Sequence, residues 1–245
     1  MRAYDPLEKW QDVAHWQRKL SNKYNAREFA SKHGCRVPAL FWRGREVNMI
    51  DFDALPPQYV IRPTIGHSSQ KVFLMDGAVN LMDNRSYTPD HLKKALSGAI
   101  AENPYLEFLL EEFVKDENGA HRIPDDYKIS VFNGEVAFID VINRTSPKTG
   151  FSSCYTQHWE RIENVADFYQ PAPLQNLPRC LGEMLVCARQ LSKAYKIFVR
   201  IDFYATDKGA VFGEFTPTPS QGDGFTAKAD KLLTRYWDTY CYGMI

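Results

Sequence analysis

No two cysteines in this 245-residue chain are spaced as CxxC. The five present, Cys35, Cys154, Cys180, Cys187 and Cys241, are odd in number and far apart. A disulfide framework or a structural zinc site is therefore not expected, and a reducing, cytoplasmic setting fits. The six histidines form no HExxH motif or paired ligand spacing. Charge of one sign is also lacking, since thirty basic residues balance thirty acidic ones. That excludes the basic excess of a general nucleic-acid binder, while leaving room for a local phosphate pocket. No stretch approaches the roughly eighteen apolar residues of a membrane span. The opening residues, MRAYDPLEKW, lack the apolar centre of a signal peptide. There is no internal repeat and no low-complexity segment.

What remains is an ordinary globular composition, 44% hydrophobic and 24% charged, in a chain long enough for one large domain or two lobes. Residues 5–20 read as a polar helix marked by Trp10, Val13 and Leu20. Residues 26–33 read as a second, with Asn25 as N-cap and Gly34 as its stop. QYVIRPTI (58–65) and QKVFLM (70–75) read as strands joined by Gly66-His67-Ser68-Ser69, and Asp76-Gly77 as a hairpin turn into AVNLM. Thr88-Pro89 opens a helix with Leu92, Ala95, Leu96, Ala99 and Ile100 on one face. FLLEEFV (108–114) is a strand, and YKISVF and EVAFIDVI form a hairpin around Asn133-Gly134. Pro178 begins a long helix whose buried stripe is Leu181, Met184, Leu185, Ala188, Leu191 and Tyr195. A last strand pair and a helix near 227–239 follow. Blocks of strands and helices with many hairpins indicate an α+β fold with largely antiparallel sheets.

The last strand pair, IFVRIDFY (197–204) and VFGEFTPTPS (211–220), carries an acid in each strand. Alternation puts Arg200, Asp202 and Tyr204 on one face. A three-residue loop, Asp207-Lys208-Gly209, gives the glycine the left-handed position it tolerates best. That register sets Asp202 opposite Glu214 and Arg200 opposite Thr216; a two-residue loop would slip it by one and send Glu214 to the other face. Opposed like charges are destabilising. A divalent cation held by oxygen ligands, a salt bridge to Arg200, or a solvated face would each relieve them.

Taken together, YVIRPTIGHSSQKVFLM resembles the phosphate-binding strand and glycine-containing loop of ATP-grasp enzymes. FLLEEFV resembles their adenine hinge, and FVRIDFY with VFGEFTPTPS their metal-binding strand pair. SNKYNAREFASKHG resembles the start of the family's lysine helix. DYKISVFNGEV, the HWE at 158–160, LGEMLVCARQLSKAYKIFVRIDFY and GEFTPTP bring the chain nearest the TupA-like branch, over roughly residues 19–225. The resemblance implies two α+β lobes gripping ATP and Mg²⁺. Lys23 and Arg62 would neutralise phosphates, and Gly66, Ser68 and Ser69 would close over them with backbone N–H groups. Glu111 or Glu112 would accept from adenine or ribose, the backbone of Phe113 and Val114 would pair the base edge, and Lys128 would reach the nucleotide. Asp202 and Glu214 would hold the metal, with Thr216 offering one oxygen. Arg200, with Arg62, would steady the acyl phosphate and the tetrahedral intermediate. Arg144, and Ser220 and Gly222 in SQGDGF, would border the acceptor substrate. A packing role is expected for His158 and Trp159.

Three residues depart from the family pattern: Asn22 for Asp, Arg62 for Lys, and Thr216 for a metal-binding Asn. The expected organisation is an N-terminal helical segment (1–25), a small lobe with the phosphate loop (26–109) and a large lobe with the metal site (110–245). The family's N-terminal substrate domain is largely missing, so acceptor recognition falls to the lobes, a partner protein or an oligomer. The implied activity is an ATP-dependent ligation of small-molecule carboxylate and amine substrates through an acyl phosphate, in bacterial envelope-polymer synthesis. The rivals are a phosphotransferase acting on a hydroxyl and a nucleotide-binding protein with degraded catalysis.

Overall fold

The computed structural model describes residues 16–66, 69–144, 146, 149–163, 165–166 and 169–243. It opens with a 3₁₀ turn at Trp16–Ser21, so most of the helix expected at 5–20 lies outside the described residues. Helix α1, Lys23–Lys32, follows. Its cap is Asn22 and not Asn25: the Asn22 carboxamide accepts from the N–H groups of Tyr24 and Asn25, satisfying two orphan donors of the first turn. Gly34, with φ of +76°, ends it.

Six strands make the first sheet. They are β1 (Leu40–Gly44), β2 (Gln58–Pro63), β3 (Phe73–Asp76), β4 (Val79–Asn80), β5 (Arg85–Ser86) and, after helix α2 (Pro89–Glu102), β6 (Phe108–Glu112). Their order is β1-β6-β2-β3-β4-β5, all antiparallel. Several strands are shorter than expected. β2 stops at Pro63, whose ring removes the next ladder donor, and β6 stops at Glu112. The hairpin after β3 turns on Gly77-Ala78, one residue later than expected. Strand β1 was not foreseen; its LFWRG lacks a clean alternation signal. Tyr59, Ile61, Phe108 and Leu110 pack on Leu92, Leu96 and Ala99 of α2. Each fully buried large apolar side chain in such a core contributes roughly 1.5–3 kcal/mol. Ala95, expected on the buried face of α2, is exposed.

The second sheet holds β7 (Asp126–Phe132), β8 (Glu135–Arg144), β9 (Gly150–Tyr155), β10 (Arg161–Ile162), β11 (Gln170–Pro171) and, after helix α3 (Leu181–Tyr195), β12 (Phe198–Thr206) and β13 (Gly209–Thr216). The order is β10-β9-β8-β7-β12-β13, with β11 added parallel to β9. Helix α3 begins at Leu181, three residues after Pro178. Its stripe of Leu181, Met184, Ala188, Leu191 and Tyr195 joins Ala26, Phe29 and Ala30 of α1 on one face of this sheet. Helix α4 (Ala227–Tyr240) covers Phe132, Ala137 and Phe138 with Ala229 and its neighbours. The lobe boundaries expected at 25/26 and 109/110 fall inside α1 and β6; the sheets take residues 40–112 and 126–216. Among the described residues no helix is long and apolar enough to cross a membrane.

Two β-bulges decide which side chains reach the open face of the second sheet. The hairpin from β12 to β13 pairs Thr206 with Gly209, so its loop has two residues and not three, although Gly209 does take the left-handed φ of +96°. Left alone, that register would turn Glu214 away. Gly213 is the compensating extra residue: Phe203 faces Phe212, and Asp202 then faces Glu214. A Cβ at 213 would lie 3.1 Å from the Asp202 carbonyl and 3.3 Å from the Tyr204 ring, which suits glycine to the position. In the β7–β8 hairpin, turning on Asn133-Gly134 as expected, Ala137 is the extra residue. Val131 faces Val136, Ser130 faces Phe138, and Lys128 then faces Asp140.

Candidate active site

A cleft of about 940 Å³ lies between the two sheets. One end is apolar, walled by Val60, Leu74, Met82, Phe113 and Ile123. Its floor is the open face of the second sheet. Alternation delivers Asp126, Lys128 and Ser130 from β7, Arg200, Asp202 and Tyr204 from β12, Glu214 and Thr216 from β13, and Asp140, Ile142 and Arg144 from β8.

The floor is a network of opposite charges. Asp202 is 2% exposed. Its Oδ1 accepts from Arg200 Nε at 2.7 Å, and its Oδ2 accepts from Arg200 Nη2 at 3.0 Å and from Lys128 Nζ. Burial pushes this carboxyl up, yet Arg200 and Lys128 outweigh it and hold it below the ordinary aspartate range. Glu214 is more open, with Lys23 Nζ at 3.3 Å and Arg200 Nη2 at 3.9 Å. Thr216 Oγ1 accepts from Arg200 Nη2 at 2.8 Å.

The first sheet and α1 supply the roof. Lys23, the first residue of α1, donates from Nζ to the Gly66 carbonyl at 3.1 Å, and its backbone N–H binds Thr64 O at 2.7 Å. The start of α1, the loop at Gly66 and Glu214 thus meet at one lysine. Gly66 has a φ of +122° and Ser69 one of +54°, and both line the cleft; Ser68 lies outside the described residues. Arg62 donates from Nε to Glu111 at 2.5 Å and from Nη1 to the carbonyl of the bulge residue Gly213 at 3.2 Å. Glu111 is fully engaged, since its second oxygen takes Arg27 of α1 at 2.6 Å. Glu112 binds Lys208 and the Ala39 N–H. Phe113 and Val114 line the cleft just beyond the last ladder pair of β6. Arg144 donates to Asp126 at 2.8 Å, and Ser220 lines the cleft in a left-handed stretch with Gln221 and Gly222; Gly222 is exposed outside the wall. Trp159 stacks on Tyr155, with centroids 4.2 Å apart, and donates from its indole to Gln175 O.

The residues fit a divalent cation of the Mg²⁺ kind. Two carboxylates from adjacent strands share one face, and Asp202 spends only three of its roughly four lone-pair sites on Arg200 and Lys128. Glu214 is the freer donor. Magnesium asks for one or two carboxylates, completing its shell with phosphate oxygens and water.

Sequence reasoning missed Arg27, Asp126 and Asp140. Alternation from Lys128 would have found Asp126. Asp140 was hidden by the bulge at Ala137, without which Ile139 would face Lys128. Burial lifts the Asp140 carboxyl to about 6; Lys128 and Arg200 pull it down, and Asp202 and Asp126 add to the rise. Its folded value thus exceeds the unfolded one, so its charge lowers stability above pH 6 and costs nothing below pH 4. Asp140→Asn is expected to stabilise the protein at pH 7.5 by on the order of 2 kcal/mol, a gain gone by about pH 4. Thermal unfolding at the two pH values reads this, and an unchanged Tm at pH 7.5 would contradict it.

The family model described as TupA-like ATPgrasp matches residues 7–237. None of the curated proteins searched matches significantly. Solved structures share the fold. A D-alanine–D-alanine ligase from Bacillus anthracis complexed with ATP superposes with a TM-score of 0.56 at 15% identity, over 90% of this chain and 64% of the ligase. The Helicobacter pylori D-alanine–D-alanine ligase gives 0.51 at 17% identity, over 89% and 60%. The D-cycloserine synthetase DcsG gives 0.54 at 12% identity, over 95% and 77%. The chain spans under two thirds of the length of the two D-alanine–D-alanine ligases.

Proposed function

The chain belongs to the TupA-like ATP-grasp family, and from that premise we propose that it is an ATP-dependent ligase joining a small-molecule carboxylate to an amine. The observation that carries this reading is the pairing of Asp202 with Glu214 on a floor shared with Lys128 and Arg200, under Lys23 and Arg62 and beside an apolar slot. The adenine occupies the slot, its edge against the backbone of Phe113 and Val114. The phosphates lie over Lys23, Arg62 and Lys128, beside Gly66 and Ser69. Asp202, Glu214 and the Thr216 hydroxyl would hold Mg²⁺, which would neutralise phosphate charge.

In the first step a carboxylate oxygen of the acid attacks the γ-phosphorus, giving ADP and an acyl phosphate. In the second, the amine attacks the carbonyl carbon, the C–N bond forms, and phosphate leaves with the electron pair of the C–O bond. Arg200, fixed by Asp202 and Thr216, donates to the oxyanion that develops between these events. The rest of the work is positioning. The setting we propose is the cytoplasmic synthesis of a bacterial envelope polysaccharide or peptide conjugate.

ATP binding by calorimetry, with and without Mg²⁺, tests the reading. Mg²⁺ is expected to tighten ATP at least about tenfold in the wild type, and Glu214→Ala to remove most of that gain, about 1.4 kcal/mol or more. Absence of ATP binding at every Mg²⁺ concentration would sink the proposal. A phosphorylated product without an amide would move it to a phosphotransferase.

A further inference from the structure

Six carboxylates line the cleft: Glu111, Glu112, Asp126, Asp140, Asp202 and Glu214. Five have a cationic side chain within ion-pair reach. Asp140 is the exception among the described residues, with neither an ion pair nor a hydrogen bond to its carboxylate. Asp140 is half-buried and its carboxylate opens to the cleft instead of meeting a donor of the protein, so this one is suited to a cation from outside the chain.

Its surroundings narrow the class of that cation. Asp140 sits mid-strand on β8, between Lys128 of β7 and Cys154 of β9. Phe138 and Ile142 flank it on the same face, and Phe138 meets Phe225 edge-on at 6.4 Å between centroids. A carboxylate between apolar neighbours suits an ammonium group on an alkyl stem better than a hydrated metal ion. Two strand spacings, about 10 Å, separate its backbone from that of Asp202. An acyl phosphate held at Arg200 and an amine held at Asp140 would therefore share the same stretch of floor.

Building on the ligase reading, the geometry points to Asp140 as the residue that receives the amine substrate as a primary alkylammonium ion and takes its proton. One proton passes from R–NH₃⁺ to the Asp140 carboxylate, freeing the nitrogen lone pair. The amine then attacks the acyl-phosphate carbonyl; the C–N bond forms and the C–O bond to phosphate breaks. The second nitrogen proton leaves with the departing phosphate, and Asp140 returns its own to water. A carboxyl lifted toward 6 is a better acceptor for an ammonium proton than an ordinary aspartate. The charged and titratable groups that act on it are Lys128 and Asp126 on β7, Arg200 and Asp202 on β12, and Cys154 on β9.

Two measurements on the full chain test this separately from ATP chemistry. In the first, the ¹³C carboxyl signal of Asp140 is followed while n-butylammonium chloride is added at neutral pH. A saturable shift, absent with n-butanol, is expected, and Asp140→Asn identifies the signal by losing it. No saturable shift overturns the site even if the ligase reading stands. In the second, ATP, Mg²⁺ and a panel of carboxylic acids are supplied with hydroxylamine, which is uncharged at pH 7.5, or with n-butylamine, which is charged. The ratio of amide to hydroxamate formed is expected to fall about 100-fold in Asp140→Asn. An unchanged ratio overturns the proton-acceptor role. No hydroxamate with any acid overturns the ligase reading instead and leaves the carboxyl titration to decide the cation site.

Discussion

Replacing Glu111 by alanine is expected to destabilise the protein by about 3–5 kcal/mol, the cost of breaking a buried ion pair from one side. Glu111 is 1% exposed, and its two oxygens hold Arg27 at 2.6 Å and Arg62 at 2.5 Å, themselves 7% and 8% exposed. Removing the acid leaves two guanidinium groups buried and mutually repelling. What remains is weaker: Arg27 keeps the Pro38 carbonyl and Glu28 at 3.6 Å, and Arg62 keeps only the Gly213 carbonyl. The triad also joins two cores. Arg27 belongs to α1, which packs on the second sheet, whereas Arg62 and Glu111 belong to the first. Glu111→Ala should therefore loosen the attachment of one sheet to the other as well as lower the urea midpoint. Glu111→Gln, which keeps the shape and one acceptor oxygen, should fall between the two. A midpoint shift worth less than about 1 kcal/mol for the alanine variant would mean that the two arginines find other partners at little cost.

Asp202→Asn is the second large effect. The carboxylate, itself 2% exposed, compensates two cations, Arg200 and Lys128, on the floor of the cleft. An amide leaves Lys128 with only Asp126, at 3.5 Å, and Arg200 with only the more distant Glu214, at 3.9 Å, for a loss of about 3 kcal/mol at neutral pH. The sign with pH follows from the depressed carboxyl. Its folded value lies below the unfolded one, so the stabilisation is complete above the unfolded pKa, near 4, and disappears as pH falls through the folded value. The difference between wild type and Asp202→Asn should hold steady from pH 6 to 8 and shrink below about pH 4. Chemical denaturation across that range measures it, and a difference that grew in acid would contradict the charge account. On the ligase reading the same variant also loses turnover by at least about 10²-fold, since Arg200 loses the partner that aims it.

Much of the fold could be read from local patterns because the patterns were strong. The stripe from Leu181 to Tyr195, the Thr88-Pro89 helix start and the Asn133-Gly134 turn each combine periodicity with a backbone requirement that few residues meet. The pairing of Asp202 with Glu214 was also legible, though through a loop one residue too long and without the bulge that makes the pairing real. Where expectation failed, the deciding contact was distant in sequence. Asn22 rather than Asn25 caps α1, in a turn where Lys23 N–H is already bound to Thr64 O. Nothing near Glu111 in sequence announces that Arg27 and Arg62 will take both its oxygens. Asp140 is one acid in the apolar run EVAFIDVI, and only Ala137, bulging out of register, turns it into the cleft.

Those two bulges bear on how relatives should be compared. Phe212 and Glu214 are two positions apart yet point to opposite faces, and so do Val136 and Phe138, because Gly213 and Ala137 are counted in the chain but not in the ladder. A relative lacking either residue could present the same floor from a strand one residue shorter. An alignment that refuses a single-residue gap at 137 or 213 would then match Asp140 or Glu214 to a core hydrophobe and report the acid as lost. The gap at 213 would carry its own chemical mark, since the shorter strand gives up the carbonyl that Arg62 binds. Such a relative would hold that cation by Glu111 alone or carry a different residue in its place.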